Sequence, residues 1–416
     1  MKKILDFIKN YFLVIYLISN ILYINVCTTL IGFKVFSYSF FGRSYIVLLI
    51  VSLIVSLFLL IYKRVNHKYK FEIYDLLILL LCIVSCISTI YAIKPKTALI
   101  GLNARYEGLI ALLYYYNLLY IASFIEKDTK KIIVALIIIS TVYQTIYALM
   151  QFFDAPFVYK YIKTTRIWPM GTMTNPNFYS SLILMGVLST IGLLVDSNKK
   201  YMKVILYLII LFLFLGLIIG NTLSCIVGLI VCAIYLLIYL IKRKKVKVFI
   251  LLFITFVVIL FGAYKTNMTL LISDSKKTTN EVVEMSKGNT QNSFGNNRIE
   301  IWSKSFNIVP YYLLHGAGVD NFFYAFGPNR LRIEDKTIDK AHNEYLQILI
   351  TEGLFALIVY ISLYLIVLLR GIKNNKIYLI LPVLGYMVQA FFNISVIEVA
   401  PIFFILLGML IERKVM

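Results

Sequence analysis

A chain of 416 residues that is 61% hydrophobic and only 15% charged is not an ordinary soluble domain, in which about 45–50% of residues are apolar. Its formal net charge of +21 would suggest nucleic acid in a soluble protein, but the basic residues sit mainly in short segments between apolar runs, so membrane topology accounts for them and no nucleic-acid partner is expected. The apolar runs are about 18–23 residues long, enough for a helix to cross a ~30 Å hydrocarbon core, and they lack the alternation of a membrane barrel.

Twelve spans are predicted, at about 11–31, 44–62, 73–93, 108–125, 131–153, 178–195, 202–220, 222–241, 247–264, 353–370, 376–393 and 395–411. The first follows Lys2-Lys3 but is too long for a signal-peptide core and has no small-x-small cleavage site, so it is kept as a span. The seventh and eighth are separated by little more than Asn221, and the last two by little more than Asn393-Ile394. Cys27, Cys82, Cys86, Cys225 and Cys232 all lie inside apolar runs, which reads as buried thiols, with no disulfide or metal. The chain thus divides into spans 1–9 (1–264), one large loop (265–342) and spans 10–12 (343–416).

With the N-terminus inside, 23 of the 41 Lys and Arg fall in inner segments, eight in short outer loops and ten in the long loop. This asymmetry places both ends inside and the long loop outside, since charge in a long loop has little topogenic force. No internal repeat is evident. Within the loop, 267–294 is rich in Ser, Thr, Asn and Lys and is expected to be its most mobile part.

Several residues at the outer face invite chemistry. Arg166 precedes Trp168-Pro-Met-Gly-Thr-Met-Thr-Asn175-Pro176-Asn177. Pro176 stops any preceding helix, and Asn177 is read as the N-cap of the sixth span. A helix N-terminus offers N–H groups to phosphate, and an upstream arginine would add a two-point donor; the same residues equally suit a plain Asn-Pro turn. Arg298 opens a segment in which 299, 302 and 306 are apolar at helical spacing, an amphipathic helix lying on the membrane face. There Arg298 is a candidate anion ligand or a surface charge, and Trp302 an interfacial anchor. His342 is able to take a proton near neutrality or to serve as a structural histidine. His67 and His315 read as bland.

Taken together these segments resemble the O-antigen ligase and polymerase superfamily of bacterial membrane glycosyltransferases. The resemblance is carried by Arg105-Tyr-Glu-Gly108, by Arg166 through Asn175-Pro-Asn177, by Arg298 to Trp302, by Gly316-Ala-Gly318 before Phe322, and by His342-Asn343 separated by nine residues from Gly353. It implies an all-α polytopic membrane protein of about twelve helices with one large extracytoplasmic loop, like the C-type glycosyltransferases. The implied activity is transfer of a glycan from an undecaprenyl-diphosphate carrier to an acceptor hydroxyl on a glycan, lipid or wall polymer. The reaction would be inverting and metal-independent, with no cofactor, at the outer side of the bacterial cytoplasmic membrane. Arg166, Arg298 and His342 would be catalytic. Arg105, Asn177, Trp302 and Asn343 would bind substrate, with Asn343 fixing the local turn. Repeat-unit polymerase and lipid-linked glycan flippase are the alternatives; a flippase would need more charge within its spans than is present.

Overall fold

The computed structural model describes residues 2–65, 71–103, 105–155, 168–334 and 336–413. Arg166 and His67, singled out above, lie outside the described residues.

The chain is built almost wholly from helices: α1 (Lys2–Gly32), α2 (Tyr38–Val65), α3 (Ile73–Ile90), α4 (Pro95–Ile100), α5 (Leu109–Ala122), α6 (Lys127–Phe152), α7 (Pro176–Asp196), α8 (Lys200–Ile219), α9 (Leu223–Lys242) and α10 (Val246–Lys265). In the loop region come α11 (Leu271–Ser286), α12 (Arg298–Tyr312), α13 (Phe322–Ala325) and a two-residue hairpin, β1 (Arg332–Ile333) with β2 (Lys336–Thr337). The chain closes with α14 (Glu344–Thr351), α15 (Leu354–Lys373), α16 (Ile377–Ala390) and α17 (Ala400–Leu410). Among the described residues, nine helices are long and apolar enough to cross a membrane, and α5, α16 and α17 are shorter apolar helices. The chain is therefore a multi-pass α-helical membrane protein.

Burial sorts these helices. In α7, 89% of the most apolar window is buried within the protein, against 17% in α10 and 28% in α2. So α7 is the hub, packed on α8, α6 and α16, while α2 and α10 turn apolar side chains outward, as lipid requires. Small residues allow the close approaches: a Cβ on Gly192 would sit 2.3 Å from Tyr378 Cα, the packing device that replaces the hydrophobic effect between membrane helices.

The last two helices differ from expectation. α16 and α17 have 14 and 11 residues, and between them lies a nine-residue connection, 391–399, instead of a tight Asn-Ile turn. At ~1.5 Å per residue, α17 rises about half the ~30 Å core. Every residue of α17 is buried, and irregular backbone is tolerated at membrane depth where protein surrounds it.

The 267–294 segment also differs. Its sequence suggested a loose polar stretch, yet α11 occupies most of it. Leu271 is buried beside Ile218 and Ala263. Asp274 accepts from Asn221 Nδ2 at 3.2 Å, and Glu281 accepts from Gly295 N at 3.0 Å. These ties fasten the first and third turns of a helix whose other residues are largely exposed.

Candidate functional site

The site lies where the loop region packs onto the helix ends, and two glycines set how closely it packs. Gly316 and Gly318 have φ of +74° and +106°. A Cβ at Gly316 would lie 2.2 Å from Thr351 O, and one at Gly318 would lie 2.3 Å from Ala92 Cβ. With no side chains in the way, Ala317 N and Gly318 N donate to Ile350 O and Thr351 O, and Ile93 N donates to Ala317 O. The glycine turn thereby stitches the loop to the ends of α3 and α14.

Arg298 is aimed by an unusual backbone run. Gly295, Asn296 and Asn297 all have positive φ, +63°, +55° and +66°, a conformation that Gly and Asn tolerate best. The chain reverses there and Arg298 becomes the first residue of α12. Its NH1 donates to Gly295 O at 3.1 Å, while its Nε is buried without a hydrogen-bond partner. Burial lowers the guanidinium's proton affinity. Arg298 lines a cavity of about 520 Å³, shared with Trp168, Asn177, Thr222, Lys277 and Trp302.

The face that α12 buries is not the predicted one. Ile301 and Ser305 point inward, whereas Phe306 is 58% exposed. The helix packs on α14, a protein surface rotated by one position from the membrane-facing stripe anticipated. Trp302 accordingly is no free interfacial anchor. Its Nε1 donates to Ala341 O at 3.0 Å, and its ring meets Phe391 edge-on at 5.6 Å.

That bond fixes the residue before His342. Ala341 N also donates to Gln347 Oε1 at 2.9 Å, and His342 itself adopts φ +50°. Asn343 then caps α14, its side chain accepting from Leu346 N at 3.0 Å, in keeping with the turn role expected for it. Burial pushes the His342 imidazole down to about 4, with the positive charge of Arg298 next in effect and Asp339 partly opposing. It is therefore neutral at pH 7, with a lone pair to offer.

On the α7 side, Asn177 is not the cap. Asn175 is: its side chain accepts from Asn177 N at 2.9 Å, because Pro176 has no N–H and its fixed φ suits the first helical position. Asn177 faces the cavity, and its Oδ1 accepts from Thr222 Oγ1 at 3.3 Å. Arg105 donates from Nε and NH2 to Asp339 at 2.8 and 3.1 Å, so much of its fork is already engaged.

Buried charges missed in the sequence underlie the site. Lys340 pairs with Asp320 at 2.7 Å and Glu107 at 3.1 Å. Glu398 accepts from Thr174 Oγ1 at 2.8 Å and Thr174 N at 3.2 Å, joining the α6–α7 loop to the 391–399 connection. Glu344, on the short α14, receives Tyr360 and Tyr386 hydroxyls, and burial raises it to about 7. A lone Glu398 amid Ile, Val, Ala and Pro was the one legible signal, since an ionisable group in an apolar run is costly unless partnered.

The fold and site define a class: a multi-pass membrane protein with a cavity beneath its long loop, lined by Arg298 and Lys277 together with Asp274 and Glu281, and a neutral histidine near it. Residues 208–361 match the family model described as O-Antigen ligase, so over that stretch the chain is similar to the O-antigen ligase superfamily. The matched region holds Arg298, Trp302, His342 and Asn343 and leaves Arg105, Arg166 and Asn177 outside it. A search of curated proteins finds no match.

Proposed function

We propose that this protein moves a glycan from an undecaprenyl-diphosphate carrier to an acceptor hydroxyl, at the extracytoplasmic side of a bacterial cytoplasmic membrane. The nine long apolar helices and the three shorter ones, the latter completed by their connecting segments, are its twelve spans, in a C-type glycosyltransferase-like arrangement with the loop outside. One observation carries the reading: a half-buried arginine, whose buried Nε has no hydrogen-bond partner, opens onto a large cavity near a neutral histidine.

In the reaction, the acceptor oxygen forms a bond to the anomeric carbon as the carbon–oxygen bond to the diphosphate breaks. Negative charge grows on the diphosphate, and fixed cations in a site of reduced dielectric stabilise it. Arg298 and Arg166 are assigned that task, suited by the planar two-point fit of guanidinium to phosphate. His342 takes the acceptor's proton, which a neutral imidazole accepts directly. Trp302 and Asn177 shape the donor cavity, and Asn343 holds the turn. A single displacement inverts the anomeric centre. Arginine meets the diphosphate charge, so no metal or other cofactor is assigned.

The test is transfer by purified protein from a lipid-linked donor, run beside donor binding. Transfer with inversion supports the reading; donor bound without transfer to any hydroxyl acceptor rejects it. Carrier-linked species in a deletion strain then define the acceptor. Full-length polymers indicate a ligase, single repeat units a polymerase, and precursors retained on the cytoplasmic face a flippase.

A further inference from the structure

Arg105 and Glu107 flank Tyr106, a non-glycine residue at φ +56°, a conformation kept only where the surroundings enforce it. Here the Tyr106 ring fills the space over Gly42, where an added Cβ would lie 2.1 Å from the ring, and it lies 6.0 Å from the Tyr38 ring. The two charged side chains on either side then meet consecutive residues of the loop. Arg105 donates twice to Asp339, and Glu107 accepts from Lys340 at 3.1 Å. Lys340, only 2% exposed, also reaches Asp320 at 2.7 Å, whose Oδ2 accepts from Leu102 N at 2.7 Å. His342 follows two residues later.

We propose that Arg105 and Glu107 are positioning residues, whose paired bonds to Asp339 and Lys340 set the register of the loop and so place the His342 imidazole beside the donor cavity. Buried ion pairs add little net stability over apolar packing, but they are intolerant of slippage. A shift of one residue in one direction would set Lys340 against Arg105, cation on cation, and in the other direction Asp339 against Glu107, anion on anion. The inference rests on the glycan-transfer reading for its kinetic readout, and it removes Arg105 from the donor's ligands.

The experiment uses purified full-length protein carrying Arg105→Ala, Asp339→Ala, Glu107→Gln, or the exchanged pair Arg105→Asp with Asp339→Arg. It measures kcat and KM for the lipid-linked donor, the Kd for undecaprenyl diphosphate, and the rate of carbethoxylation of His342 against His315 by mass spectrometry. Because a small misplacement of a catalytic group costs up to about 10²-fold, the single variants are expected to lose about 10–100-fold in kcat. The Kd should stay within about twofold, the His342 labelling rate should change severalfold, and the exchanged pair should recover most of the loss. Arg105→Ala weakening lipid-diphosphate binding as Arg298→Ala does, or unaltered His342 labelling in the single variants, would overturn the proposal. Should the alanine variants fail to fold, Glu107→Gln, which keeps shape and removes one charge, is judged by the same readouts. A wild-type protein that neither binds the lipid diphosphate nor transfers glycan would sink the functional reading, while the labelling would still judge the clamp.

Discussion

Two regions that hold basic side chains border His342, and they differ in how those side chains are paired. Around Lys340 every cation has its anion: Glu107 and Asp320 for Lys340, Asp339 for Arg105. At the first turn of α12, Arg298 has a backbone carbonyl on NH1 and a bare, buried Nε. A paired cation holds structure, whereas a buried guanidinium N–H without a partner is costly unless a ligand meets it. On the proposed reading, the contrast separates the cations that hold the site, Lys340 and Arg105, from the one assigned to the donor, Arg298, although all three act on His342.

The sharpest way to break this division is at the histidine between the regions. Loss of a general base costs about 10²–10⁴ in rate, so His342→Ala is expected to abolish detectable transfer while the donor Kd is unchanged. Near-normal turnover would remove the base role. Next in size is the paired region. Lys340→Met leaves Glu107 and Asp320 buried without their cation, which costs about 3–5 kcal/mol. Thermal unfolding in detergent should show a large drop, and an unchanged midpoint would mean the pairs hold nothing. In the unpaired region, Arg298→Ala should leave thermal stability near wild type. It should weaken donor binding by about 10–100-fold, the worth of a hydrogen bond to a charged group at ~1.5–3 kcal/mol, and Arg298→Lys should recover little of this, since an ammonium cannot give the planar two-point contact.

A subtler outcome concerns pH. With His342 held down to about 4 by burial and by Arg298, its base form prevails at every pH above that value. The kcat/KM profile should therefore stay level through the ordinary histidine range near 6.5 and fall only as pH approaches 4. An acid limb at 6.5 would show the imidazole to be unperturbed. The smallest expected effect is none: EDTA should leave transfer unchanged. Inhibition by EDTA with rescue by Mg²⁺ or Mn²⁺ would shift attention to Glu300, Asp320 or Asp339.

The apolar helices were legible because twenty-residue runs have one physical use. The twelve predicted spans each coincide with an apolar helix, and the loop's Arg298 helix and glycine turn stand where the motifs suggested. Partnership was not legible. Nothing in the local sequence says that Lys340, at the end of a charged run, is buried against Glu107 more than 200 residues earlier. Nor does spacing say that Trp302 is spent on Ala341 O, or that α12 turns Ile301 and Ser305 inward, because each depends on a protein surface brought by another part of the chain. The Asn175 cap was legible in Pro176, whose missing N–H and fixed φ favour the first helical position. The α11 helix was hidden by composition, because its ties, Asp274 to Asn221 and Glu281 to Gly295 N, are polar and long-range.

The short, wholly buried α17 has a consequence for biogenesis. Eleven residues cannot bridge the hydrocarbon core unaided, so this helix has no stable station in lipid by itself. It is lined by α5, α15 and α16, with α1 and α6 adding to the wall, and every one of these is synthesised earlier. During insertion the walls are thus in place before the plug is made, and α17 can pass from the ribosome into a protein-lined slot. Moving its sequence ahead of α5, in a permuted chain, would strand it in the bilayer and leave the assembly without its centre.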